Sequence, residues 1–211
     1  MPDYRRNRIE GGCYFFTINL LERHQNQLLV QQIDLLRDVV RRVRLRHPFH
    51  IDGWVVLPEH MHCIWTLPQG DDDYAKRIRL IKTLFSKDIP KIERRSGVRQ
   101  GKGERGIWQR RFWEHTIRDK NDYAAHMDYL HFNPVKHGYV EKVIEWPYST
   151  FKHHVQHGVY PENWGDDGND IWIGEPDYAS LIRPTSYISF TKSYRRFRIE
   201  IINDMDKQLY S

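Results

Sequence analysis

One run, Leu57-Pro58-Glu59-His60-Met61-His62-Cys63-Ile64-Trp65-Thr66-Leu67, constrains this chain more than any other stretch, because it sets two imidazoles two residues apart inside an apolar, strand-like pattern. Successive side chains of a strand point to opposite faces, so His60 and His62 share one, with Ile64 and Thr66 continuing it. Met61, Cys63, Trp65 and Leu67 fall on the other face, an unbroken apolar set that belongs in a core. The histidine face can hold a divalent metal, since imidazole suits several first-row ions and two ligands at this spacing leave room for a third and for substrate oxygens. It suits a packed, hydrogen-bonded pair equally well in a chain with 12 His. The pair alone fixes no reaction.

The flanking sequence places this strand in a fold. After the Gly11-Gly12 breaker, Cys13 to Leu20 is aromatic and β-branched and reads as a strand covered on both faces. From Gln31 to Arg46 the period changes: Ile33, Leu36, Val40 and Val43 share a helical face, Arg37, Arg41 and Arg44 make a stripe that suits a solvated exterior better than a DNA track, and Pro48 ends the helix. Ile51 to Leu57 is a second strand, and Pro58-Glu59 turns it straight into the histidine strand as a hairpin. A polar turn, Pro68 to Asp73, then caps a helix carrying Tyr74, Ile78, Ile81, Leu84 and Phe85 up to about Lys87. Pro90 to Gly106 breaks the pattern with Lys91, Arg94, Arg95, Arg99, Lys102 and Arg105 among four glycines, which predicts a mobile basic loop, either a clamp on a phosphate backbone or a plain insertion. The second half of Ile107 to Arg118 reads as a strand. The order strand, helix, strand, strand, helix, strand is that of an α+β, ferredoxin-like (split βαβ) antiparallel sheet, with helices on one face and the other open.

A further helix is predicted over Asn121 to Asn133, with Asp122 as its cap and Pro134 as its stop. One face carries Asp122, His126, Tyr129 and Asn133; Tyr123, Met127 and Leu130 make the apolar face beside it. Tyr129 suits an amphipathic packing role. It also suits nucleophilic attack on phosphorus if a metal polarises the phosphoryl oxygens, and Asn133, one turn on, can offer its carbonyl oxygen as a third ligand.

Charge and composition bound the partners. The 211 residues fit one domain, or one domain and an appendage. Lys and Arg number 33 against 28 Asp and Glu, a net charge of +5, which favours anionic partners. With 13% aromatics the chain can also offer rings for base stacking beside phosphate contacts. Cys13 and Cys63 sit in apolar runs, form no zinc-type cluster and fit buried thiols in a reducing cytosol. The first residues lack the apolar core of a signal peptide and no run reaches membrane-spanning length, so a soluble, cytoplasmic protein with no membrane association is expected. There is no Gly-rich Walker loop, hence no nucleotide cofactor is expected.

Taken together, Gly53-Trp54-Val55-Val56-Leu57-Pro58-Glu59-His60-Met61-His62, Trp113-Glu114-His115, Asp128-Tyr129-Leu130-His131-Phe132-Asn133-Pro134-Val135-Lys136-His137-Gly138 and Trp146-Pro147-Tyr148-Ser149 resemble the REP-associated tyrosine transposases, relatives of the single-tyrosine transposases of the HUH endonuclease superfamily. The resemblance runs from Tyr4 to Trp164. It implies an HUH transposase domain over residues 1–164, with 165–211 an extension of its own. It further implies that His60 and His62 are a metal pair and Tyr129 the nucleophile. In related single-tyrosine transposases a glutamine four residues after the tyrosine is a further ligand; here that place holds the shorter Asn133. The implied cofactor is Mg²⁺ or Mn²⁺, since no cysteine set makes a closed zinc site. The implied substrate is single-stranded DNA beside a REP-type hairpin, cleaved to a 5′-phosphotyrosine and a free 3′-OH and then rejoined, by a protein acting as monomer or homodimer. Arg94, Arg95, Arg99, Lys102, Arg105, Lys136 and His137 are the candidate DNA contacts. His126, His131 and His137 suit support of the site or phosphate contact no better than packing. A hairpin-binding module without chemistry and a metal-dependent nuclease using water are the rival readings. Beyond Gly165 the resemblance ends; Phe190, Tyr194 and Phe197 alternate there with Lys192, Arg195, Arg196 and Arg198, which fits packing or disorder better than a DNA contact.

Overall fold

A computed structural model describes residues 6–91, 93 and 97–166, so the expectations for the tail beyond Asp166, and for Arg94 and Arg95, lie outside the described residues. The chain divides into two compact units, Met1–Ile117 and Arg118–Ser211.

The first unit holds β1 (Cys13–Asn19), α1 (Leu28–Gln31), α2 (Ile33–Arg46), β2 (His50–Val56), β3 (His60–Thr66), α3 (Tyr74–Asp88), α4 (Gly97–Gly101) and β4 (Trp113–Thr116). Its four strands lie in the order β2-β3-β1-β4, every neighbouring pair antiparallel. That is the α+β, split βαβ arrangement the sequence order implies. The register sets Thr17 opposite His62 and Asn19 opposite His60. Phe15, Thr17 and Asn19 therefore share the face of His60, His62 and Ile64, while Tyr14, Phe16 and Ile18 share that of Met61, Cys63 and Trp65.

The second of these faces is the helix-covered core. Tyr74, the first residue of α3, sets its ring 4.6 Å from Tyr14 and 5.3 Å from Phe16. Phe49 lies 4.3 Å from Trp65. α2 and α3 pack on each other, α2 burying Leu36, Val39, Val40 and Val43, as its 3.6-residue spacing requires. Each such side chain contributes about 1.5–3 kcal/mol by leaving water. Asp73 caps α3 by accepting from Lys76 N. Behind it the buried Arg77 guanidinium donates to Asp71 (2.6 and 3.0 Å) and to the carbonyls of Pro48 (2.6 Å) and Asp73 (3.0 Å), tying α3 to the end of α2.

Two expectations for this unit change. The histidine face is not open: Phe15, Thr17, His60, His62 and Ile64 are all buried. Its rings cover one another, with Phe15 stacked 5.4 Å from His62 and edge-on 5.7 Å from Trp113. Nor is Pro90 to Gly106 a loose insertion where described. Arg105 donates to Glu93 (2.5 and 3.0 Å) and to the carbonyls of Ser86, Ile89 (3.1 Å) and Pro90 (3.0 Å), so its guanidinium acts as a clasp. Basic composition alone cannot distinguish such an arginine from one offered to a ligand.

In the second unit, α5 (Lys120–Lys136) is followed by a 3-10 turn (Val143–Glu145) and α6 (Phe151–Gln156). The cap of α5 is Asp119, not Asp122: its carboxylate accepts from Asn121 N and Asp122 N, because only a residue before the first turn is placed to reach those donors. Pro134 does not stop the helix either. It lies inside it, in the last turn, at the cost of one i→i−4 hydrogen bond. The stop is Gly138, at φ +70°, with Gly138 N bonded to Val135 O and Tyr139 N to Pro134 O, the paired closure that a left-handed residue permits. Met127, Leu130, Phe151, Tyr160 and Trp164 make the core. Beside it the buried His131 bonds Ser149 Oγ (3.1 Å) and His154 Nδ1 (3.0 Å), and Tyr160 donates to Asp128 (2.7 Å). No helix among the described residues is long and apolar enough to cross a membrane.

Candidate metal-binding and nucleophile residues

The histidine pair is positioned by its hairpin. Leu57 N bonds His60 O across the turn (2.9 Å), Leu20 N bonds Glu59 O (2.9 Å) and Leu29 N bonds Pro58 O (3.0 Å), so the turn is held from both sides. His60 and His62 then stand edge to face with ring centroids 4.9 Å apart, each about 3% exposed. Both Nδ1 atoms have oxygen partners: His60 Nδ1 lies 2.9 Å from Glu59 Oε1 and His62 Nδ1 lies 2.9 Å from Thr17 Oγ1. Arg23 donates to the same Glu59 oxygen at 3.2 Å. Burial pushes the Glu59 carboxyl up, but the hydrogen bond and charge of His60 and the hydrogen bond from Arg23 outweigh it and hold the group at about 2. The donor chemistry of a pair of imidazoles anchored at Nδ1 fits a first-row divalent ion. Cys63 lies on the opposite face, and burial pushes its thiol well up, so it belongs to the core.

The other candidates lie on α5. Tyr129 is half-buried, with Lys136 Nζ 5.3 Å from its ring centroid. Asn133 is fully buried, and neither Oδ1 nor Nδ2 of its amide has a hydrogen-bond partner among the described residues. A buried amide left so costs about 1–3 kcal/mol. His126 is buried with Nδ1 2.8 Å from Asp122 O and 3.0 Å from Asp122 Oδ1, so the residue expected to cap the helix instead orients this ring. His131 belongs to the Ser149–His154 network. His137 is exposed at the helix end, its ring 6.0 Å from Tyr139.

Within the first unit, then, the structure brings His60 and His62 together; within the second it sets Tyr129, Asn133 and Lys136 on successive turns of α5. Arg99 pairs with Glu104 at 3.4 Å and Lys102 is exposed, while Arg105 is the clasp described above. Glu59, Thr17 and Arg23 escaped the sequence reading. For Glu59 the signal was its place directly before His60; for Thr17 it was strand parity, legible only once β1 is paired with β3.

No family model matches the chain. The chain is 49% identical over 175 residues to the REP-associated tyrosine transposase of Escherichia coli (strain K12), covering 83% of this chain and 98% of that protein. It is also similar to the solved structure of a REP-associated tyrosine transposase bound to a REP hairpin, with a TM-score of 0.68 and 46% identity over 88% of this chain and 100% of that one.

Proposed function

This chain belongs to the REP-associated tyrosine transposases, and from that premise we propose that it cleaves and rejoins single-stranded DNA beside REP-type hairpins, with Tyr129 as nucleophile. The hairpin partner is supported by the relative that was solved with one. The observation that carries the chemistry is the histidine pair, buried and anchored at both Nδ1 atoms.

In the proposed reaction the Tyr129 hydroxyl loses its proton as its oxygen attacks phosphorus, the bond from phosphorus to the 3′ oxygen breaks, and that oxygen takes up a proton and leaves as a 3′-OH, with no net change in protons. The phosphate stays on Tyr129 as a 5′-phosphotyrosine. Attack by a 3′-OH on this ester reverses the exchange and frees the phenol, so the phosphodiester is conserved and no nucleotide hydrolysis is required. The half-buried ring, held in contact with the Lys136 ammonium, keeps the hydroxyl on a rigid helix. His60 and His62 would hold the divalent ion, and Asn133, whose buried amide has no partner among the described residues, is the proposed third ligand. When bound, the ion supplies polarisation of the phosphoryl oxygens. Between Mg²⁺ and Mn²⁺, two imidazoles favour Mn²⁺, because Mg²⁺ prefers oxygen donors and keeps its waters. Lys136, His137, Arg99 and Lys102, with Arg94, Arg95 and Arg105, are the proposed phosphate contacts; Arg105 has the least to give, since its donors already serve Glu93 and three carbonyls. The protein acts in the cytoplasm, as monomer or homodimer.

Binding and chemistry separate by salt and by metal. Phosphate contacts make hairpin affinity fall steeply as salt rises, while removal of divalent ions with a chelator is expected to stop cleavage and leave most hairpin binding in a gel-shift assay. If chelation abolishes hairpin binding outright, the ion has a structural role and the assignment of His60 and His62 fails.

A further inference from the structure

We infer that Glu59 is a positioning residue that presets His60 for metal binding, its carboxylate deciding which imidazole nitrogen carries the proton. The inference rests on the reading of His60 and His62 as the metal pair. An ionised carboxylate only accepts hydrogen bonds, so the 2.9 Å contact between Glu59 Oε1 and His60 Nδ1 requires the proton on Nδ1. The metal role therefore falls to Nε2. Adjacent residues in a strand point to opposite faces and cannot meet in this way. Glu59 can meet His60 because it lies in the turn just before β3, where its own carbonyl is bonded by Leu20 N.

The carboxylate is itself held. Glu59 is 8% exposed, and Arg23, whose side chain is 49% exposed, reaches in from solvent to donate to the oxygen that faces His60. The chain of contacts runs guanidinium, carboxylate, imidazole. His62 differs: its Nδ1 partner is the Thr17 hydroxyl, which both donates and accepts and so does not dictate a tautomer. His60 is the preset ligand and His62 the adaptable one. An outer partner of this kind orients the ring and raises its basicity, and its loss typically costs roughly 10–100-fold in metal affinity.

The test uses the full chain, with Mn²⁺ binding followed by the EPR signal of the free ion and the His60 tautomer read by long-range ¹H–¹⁵N NMR on the metal-free protein. Wild type should show His60 protonated at Nδ1. Glu59→Ala should mix the tautomers and weaken Mn²⁺ binding by roughly 10–100-fold, and Glu59→Gln, which keeps an accepting oxygen, should retain the tautomer and recover part of the affinity. Finding His60 protonated at Nε2 in wild type overturns the inference without any variant, as does a folded Glu59→Ala with the wild-type tautomer and affinity. Wild type that binds no Mn²⁺ overturns the metal reading beneath it, whatever the tautomer.

Discussion

Asn133 is the residue at which stability and function should part company. It is fully buried, and neither polar atom of its amide has a partner among the described residues. Leucine has the same branching at Cγ and nearly the same reach, so Asn133→Leu removes the stranded donor and acceptor without opening a cavity. Replacing a buried, unsatisfied amide by an apolar group of similar shape should stabilise the metal-free fold by about 1–3 kcal/mol. At about 2–4 °C per kcal/mol for a chain of this size, the melting temperature should rise by several degrees. Thermal unfolding followed by circular dichroism in chelator reads this directly. Repeating it with Mn²⁺ reads the function: wild type should gain stability through binding to the native state, and the variant should gain less. A variant that melts below wild type in chelator would mean that the amide is satisfied in the fold, and the case for Asn133 as a ligand would lose its physical basis.

The Asp71–Arg77 pair should respond asymmetrically. Asp71→Ala strands a guanidinium whose side chain is 2% exposed and should cost about 3 kcal/mol, whereas Arg77→Met leaves a carboxylate that is 36% exposed to water and should cost less; urea unfolding of both ranks them, and the reverse order would contradict the burial argument. The hydrogen bond from Arg77 holds the Asp71 carboxyl below its ordinary value. Its contribution is therefore present above the carboxylate pKa of the unfolded chain and is lost as pH falls through the folded value, so that part of the acid sensitivity should disappear in Asp71→Asn. Asp119→Ala should cost about 1 kcal/mol by uncapping α5, which equilibrium unfolding would detect; no loss at all would return the capping role to Asp122.

Periodicity carried most of the fold. The helices around Leu36 and Ile78 are set by burial of one face, which spacing records, and the histidine strand by an alternation of residue types whose two faces are both buried. What spacing does not record is competition at element ends. Asp122 and Asp119 are chemically alike as caps, and the choice depends on where the backbone leaves the extended conformation. Pro134 reads as a stop, yet Gly138 is the residue that supplies the left-handed φ closing the helix. Among the candidate residues, the histidine pair stood out by residue type and spacing, and Tyr129 through the family resemblance of its helix. Thr17 and Arg23 did not, because each reaches its partner only through tertiary structure, Thr17 across a sheet register and Arg23 from the segment before α1. With His60 and His62 buried, substituting both by alanine would open a cavity and remove the imidazole partners of Glu59 and Thr17, confusing metal loss with unfolding, so chelation is the cleaner perturbation.

In the proposed mechanism one oxygen atom of Tyr129 carries the chemistry. Tyr129→Phe keeps the ring and its contact with Lys136 and deletes only the hydroxyl. Tyr123→Phe on the same helix is the control. The measurement is the denaturation-resistant protein–DNA species formed on a hairpin oligonucleotide with a single-stranded flank in Mn²⁺, resolved on a denaturing gel. Wild type and Tyr123→Phe should form it, and Tyr129→Phe should bind the hairpin with wild-type affinity while forming neither adduct nor cleaved strand. Cleavage by Tyr129→Phe at a comparable rate would assign the attack to water or another residue and contradict the proposed mechanism.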